Sequence, residues 1–318
     1  MKKYLLLLIL TFSLISCFQT GTKLLLETPT PVPLDYSKDM EDLIIHEEQN
    51  IVKSDRFQTE EIIRSYKKAY PDRISEISFR NDDWAMKVYD QWFLWADGRL
   101  LPEEQRKQSL EYNPYPFYKY PKDLPIFQEL PRNVKDRLDN TLEERKTKPL
   151  QRFPGFLNSL WRIYDRETSW ARVKTTYFLS FKLQIHRDLL EDLANVEEEL
   201  LRRMLADSDL RTFVQSLERV DGYNWRPIAE TETLSVHSYG IALDLILGFK
   251  PNSEVYWLWS KNKGLSWYDV PYNKRFSPPE SFIKTFEKYG FIWGGKWLYF
   301  DTIHFEYRPE ILILNGLM

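Results

Sequence analysis

Two of the four histidines in this chain of 318 residues stand close to acids in a spacing that can do chemistry. In Ser235-Val236-His237-Ser238-Tyr239-Gly240-Ile241-Ala242-Leu243-Asp244, an imidazole precedes an acid embedded in an apolar run. Further on, Asp301-Thr302-Ile303-His304-Phe305-Glu306 supplies a second imidazole with an acid on either side. Two imidazoles and one carboxylate form the ligand set of a catalytic zinc site, which keeps a fourth position for water. A dication held by two neutral imidazoles and one carboxylate retains a positive charge, which lowers the pKa of bound water towards ~7. Asp301, just before His304, is the candidate base for hydrolysis. A lone His–Asp pair is equally a structural hydrogen bond, so spacing alone leaves both readings open.

Those residues need particular elements to bring them together. Residues three or seven apart on a regular strand point to opposite faces. His237 must therefore precede the Asp244 strand across a turn, which Gly240 permits. Asp301 must lie just before a strand or at a bulge, with His304 inside it. Gly240–Leu247 is a continuous apolar run with one acid, as suits a central strand whose charge requires a partner. The alternation over 181–186 predicts a half-buried strand that leaves His186 on its exposed phase. An amphipathic helix follows over 188–205, with Asp188 as its cap. Ser277-Pro278-Pro279-Glu280 reads as a capping box for a helix closed by Gly290. Earlier, a short helix over 59–70 precedes three strands, Ile74–Arg80, Trp84–Val88 and Gln91–Trp95. The Tyr/Pro-rich stretch 112–125 predicts an ordered loop packed by its own rings. Strands and helices without βαβ regularity indicate an α+β fold. A small antiparallel sheet flanked by helices would carry the site, with an additional mixed α/β region before it.

Composition removes several alternatives. The 44 basic and 47 acidic residues give a net charge of −3, so the chain has no basic footprint for nucleic acid. A single cysteine excludes a disulfide framework, a thiolate zinc site and a CxxC redox pair. That cysteine, Cys17, ends a stretch with two lysines, a short apolar run and Ser16, which reads as a secretory signal peptide. This largely apolar run of twelve residues (4–15) falls short of the ~20 needed for a membrane-spanning helix. Thr28-Pro29-Thr30-Pro31-Val32-Pro33 favours extended polyproline II, so the stretch from Phe18 to about Asp55 that contains it is expected to be a tether. The expected organisation is a signal peptide over 1–16, a linker over 17–55, a region without assigned role over 56–165, and the site-bearing domain over 166–318.

The segments SVHSYGIALD and GFIWGGKWLYFDTIHFEYRPE resemble the two signatures of the VanY-like D-Ala-D-Ala carboxypeptidases of peptidase family M15. That family also includes endolysins that cut the L-Ala–D-Glu bond of peptidoglycan. The resemblance runs over roughly residues 174–310 and implies that His237, Asp244 and His304 bind Zn2+, with Asp301 as general base and acid. Gly222-Tyr223-Asn224-Trp225-Arg226-Pro227-Ile228 resembles the family segment whose arginine contacts substrate, giving Arg226 that role. Leu14-Ile15-Ser16-Cys17 resembles a lipobox, which implies acylation of Cys17 and a lipid-anchored protein of the bacterial cell envelope, facing the periplasm or exterior. Its partners would be peptidoglycan stem peptides and, through the anchor, a membrane; the alternative is a non-catalytic, zinc-containing wall-binding lipoprotein.

Three further residues have two readings each. Ser235 hydrogen-bonds substrate or shapes the turn. Trp293, beside Gly294-Gly295, lines a substrate cleft or belongs to the core. Glu306 shares a strand face with His304 and either orients that ligand or forms an ordinary ion pair.

Overall fold

The computed structural model describes residues 58–229 and 231–318. The expected signal peptide, Cys17 and the linker lie outside these residues. Among the described residues, no helix is long and apolar enough to cross a membrane.

The first helix, α1 (Thr59–Ala69), buries Ile62, Ile63 and Tyr66 on one face, and Gln58 and Glu61 form a capping box at its start. Three antiparallel strands follow: β1 (Ile74–Arg80), β2 (Asp83–Val88) and β3 (Gln91–Leu94). Asn81 and Asp82 turn β1 into β2 at φ of 52° and 58°. Asn and Asp tolerate this left-handed region better than other side chains, and it is what a two-residue hairpin requires. Helices α2 (Arg132–Thr147), α3 (Gly155–Trp161) and α4 (Arg166–Arg172) lead to a hairpin of β4 (Val173–Phe178) and β5 (Phe181–His186).

The remaining chain builds the sheet that carries the site. After α5 (Leu190–Arg203) and α6 (Ser208–Gln215) come β6 (Leu217–Asp221) and β7 (Ala242–Leu247). Helix α7 (Trp257–Asn262) and α8 (Glu280–Lys288) precede β8 (Phe291–Trp293), β9 (His304–Tyr307) and the final helix α9 (Pro309–Leu314). The sheet order is β6-β7-β9-β8, with every pair antiparallel. Helix α8 covers one face, with Phe286 4.5 Å from the Phe305 ring of β9. The architecture is α+β, small antiparallel sheets with helices packed on them.

One hydrophobic core joins the early and late parts of the described chain. It runs from Ile62 and Tyr66 of α1 through Phe156 and Ile185 to Phe305 and Leu312. A second, smaller cluster packs Val134 and Leu138 of α2 against Trp267 and Tyr299, whose rings stack at 4.5 Å.

The structure departs from the sequence expectations at four places. Asp188 does not cap α5; its carboxylate pairs with Arg73 at 3.0 Å, a tertiary partner invisible to local pattern. The Ser277 hydroxyl donates to the Pro278 carbonyl, and α8 begins at Glu280 with no side-chain cap. Tyr115 and Phe117 of the Tyr/Pro-rich loop pack on Phe156 and Tyr66 of the core rather than on each other. His186 is 1% exposed, because the chain leaves the strand there and folds its ring under Trp161. Its Nε2–H donates to the Trp161 carbonyl at 3.0 Å, and Nδ1 accepts from the Asp188 amide at 3.2 Å.

Candidate metal centre

His237 sits on a 3₁₀ turn, Val236–Tyr239, and Gly240 follows with φ of 65°. That left-handed residue redirects the chain from the turn into β7. A side chain could not replace its hydrogen, since a Cβ there would lie 2.8 Å from the His186 amide nitrogen. The turn is held from outside as well. Its Nδ1 contacts the Gly222 carbonyl at 2.6 Å, and the His237 carbonyl accepts from the Asn224 amide at 3.1 Å.

Asp244 and His304 face each other across β7 and β9 as register partners. Facing residues of an antiparallel pair project to the same side. Asp244 Oδ1 lies 2.9 Å from His304 Nδ1, and Asp244 Oδ2 lies 3.2 Å from His237 Nε2. The two imidazole nitrogens are themselves 3.2 Å apart. One ligand atom from each of these three residues falls within 4.8 Å of the others.

The outer nitrogens decide what the inner ones offer. His237 Nδ1 is spent on a carbonyl oxygen, so it carries the proton and leaves a lone pair on Nε2. His304 Nε2 meets Glu306 Oε2 at 3.2 Å, which likewise places the proton on Nε2 and the lone pair on Nδ1. Two lone pairs and a carboxylate therefore converge on one point. Such an arrangement repels itself unless a proton or a cation sits at its centre, and it fits a divalent ion of zinc type. Without a metal, a proton on His304 takes the place of the cation between the carboxylates. Burial pushes His304 down, but hydrogen bonds to Asp244 and Glu306 outweigh it and raise the imidazole to about 10. Burial likewise pushes Asp244 up, and the two imidazoles overcome it and hold the carboxyl well below the ordinary carboxylate range.

Asp301 precedes β9 by one turn, in which the His304 amide donates to its carbonyl at 3.3 Å. Its own amide donates to Gly294 at 3.1 Å, and Tyr256 pairs with it as an isolated bridge. The side-chain Oδ1 is buried without a hydrogen-bond partner. Burial raises this carboxyl to about 6, against the pull of the His304 and His237 charges. A carboxyl with a free, desolvated oxygen beside the ligand cluster is suited to exchanging a proton near neutral pH.

Residues 229–307 match the family model described as D-alanyl-D-alanine carboxypeptidase. The matched stretch contains His237, Asp244, Asp301 and His304. It supports the resemblance to peptidase family M15 and a peptidase activity for this site. A second stretch, residues 62–117, matches a domain of unknown function (DUF8518). No curated protein and no solved structure matches the chain.

The other sequence candidates take distinct places. The Arg226 backbone is stitched to the His237 turn, its amide donating to Ser238 Oγ at 3.0 Å and its carbonyl accepting from the Ser235 amide at 3.0 Å. Its side chain is exposed and donates to the Pro227 carbonyl. Ser235 is buried, and its hydroxyl accepts from the His237 amide at 3.3 Å, which shapes the turn. Trp293 is buried in the core, with its indole donating to the Thr302 carbonyl at 2.8 Å. The indole next to the ligands is that of Trp297, whose ring lies 5.5 Å from the His304 ring and whose Nε1 is buried without a partner. Gly294 touches both Trp297 and Asp301, since a Cβ there would lie 2.6 Å from the Asp301 carbonyl.

Proposed function

We propose that this protein is a zinc-dependent peptidase hydrolysing amide bonds in peptidoglycan stem peptides, as a D-Ala-D-Ala carboxypeptidase or an L-Ala-D-Glu-type endopeptidase. The observation that carries the reading is the convergence of two imidazole lone pairs and the Asp244 carboxylate beside the unpartnered Asp301 oxygen. His237, Asp244 and His304 would hold the ion. When bound, zinc supplies a Lewis acid that polarises a carbonyl and makes water acidic near neutral pH.

The chain's own groups account for the rest. Asp301 takes a proton from the attacking water and returns it to the leaving amine as the amide bond breaks. Arg226, on the loop fixed to the His237 turn, receives the peptide carboxylate or the oxygen that becomes negative at the tetrahedral stage. Acylated Cys17 would place the enzyme on a bacterial membrane, facing the periplasm or exterior, with the 17–55 linker spacing it from the lipid; residues 166–318 would form the peptidase domain. Mass spectrometry of muropeptides after digestion tests the substrate class. Loss of a terminal alanine identifies a carboxypeptidase, internal scission an endopeptidase, and intact stem peptides would contradict both.

A further inference from the structure

The side of His304 turned away from the ligand cluster leads into a line of buried charges. Its Nε2 meets Glu306 Oε2 at 3.2 Å, and Glu306 Oε1 accepts from Arg308 Nη1 at 3.3 Å. Arg308 Nε donates to Glu310 Oε1, and Glu310 Oε2 accepts from the Tyr70 hydroxyl at 2.9 Å. Arg308 Nη2 also reaches the Pro116 carbonyl at 3.4 Å. Glu306 is 8% exposed, Glu310 1% and Tyr70 5%, so water does not screen these contacts. Strand periodicity places Glu306 on the same face as His304, opposite the small Ala242.

Buried charges are costly, and hydrophobic residues of similar size would be at least as stable in a purely structural role. The line instead starts on a metal-ligand candidate and ends on residues 70 and 116, at the end of α1 and in the loop that packs on the core. Both lie at or within the stretch matched to a domain of unknown function. We infer that Glu306, Arg308, Glu310 and Tyr70 are positioning residues through which the 59–117 segment sets the orientation and protonated nitrogen of His304, and so the metal affinity of the site. Glu306 fixes the proton on Nε2; Arg308 holds Glu306 in place; Glu310 and Tyr70 fix Arg308. The inference rests on the zinc reading of the His237–Asp244–His304 cluster.

The test measures Zn2+ affinity of the full chain by competition with a chromophoric chelator, together with the visible spectrum of the Co2+-substituted protein. Removing such an outer partner typically weakens a metal site about 10- to 100-fold. Glu306→Ala is expected to lose affinity in that range and to shift the Co2+ spectrum. Glu306→Gln, which still accepts from Nε2, is expected to recover part of the affinity. Tyr70→Phe, a far milder change, is expected to weaken Zn2+ several-fold while the protein stays folded. Tyr120→Phe removes a comparable buried Tyr–Glu hydrogen bond outside the line and is expected to leave affinity unchanged. Wild type that binds Zn2+ together with Glu306→Ala and Tyr70→Phe variants that match it in affinity and spectrum would overturn the relay alone. Wild type without Zn2+ affinity would overturn the metal centre and the relay with it.

Discussion

Asp244 and His304 are direct cross-strand partners, and their side chains meet at 2.9 Å on the same face of the sheet. The pairing of β7 with β9 thus builds two of the three candidate ligands, and only His237 has to be brought in by a turn. Metal added to the apo protein should therefore stabilise the fold. At a hundredfold excess over Kd the gain is about 2.7 kcal/mol, read as a rise in Tm. Asp244→Ala should abolish that rise, and a rise that persisted would place the metal elsewhere.

Asp301 lies outside the His237–Asp244–His304 cluster, and its substitution should separate metal binding from chemistry. Asp301→Asn is expected to keep a full equivalent of zinc by elemental analysis while hydrolysis falls ~10²- to 10⁴-fold, the usual range for a lost general base. A variant that loses zinc in parallel with activity would make Asp301 a ligand.

Gly240 is a positional requirement of the site. Its φ of 65° and the 2.8 Å approach to the His186 amide leave no room for a methyl group. Gly240→Ala should cost about 1–3 kcal/mol in urea unfolding and weaken zinc binding through displacement of His237. Unchanged stability would mean that the turn re-forms without strain.

His186 gives a pH signature independent of the metal. Burial lowers its pKa from 6.5 to about 4, and the nearby Asp188 carboxylate, opposed by Arg73 and Arg172, only partly offsets this. The folded state therefore holds the imidazole neutral, while the unfolded chain takes up a proton below pH ~6.5. Its stability contribution is complete above that pH and is lost as pH falls towards 4, on the order of 3 kcal/mol in all. His186→Gln should flatten the pH dependence of Tm across this window, and an unchanged slope would assign it to other groups.

The three residues of the candidate centre were readable from the chain because each stands out locally. An acid inside an apolar run needs a partner, and a glycine after His237 signals the turn that brings it. The three early strands were legible because Asn81-Asp82 and Asp90 punctuate them. What escaped was tertiary. Asp188 looked like a cap until Arg73 took its carboxylate. His186 fitted the exposed phase of its strand, but the chain departs there and Trp161 covers the ring. The charge line from His304 to Tyr70 spans residues 240 positions apart at its Tyr70–Glu310 end, which no local pattern reveals.

The measurement that bears most directly on the account is incubation of the purified protein with muropeptides at neutral pH, with and without chelator, followed by mass spectrometry. A zinc peptidase at this site should yield cleaved stem peptides, lose them on chelation and regain them when Zn2+ is restored. Cleavage indifferent to chelator, or none from zinc-loaded protein, would contradict it.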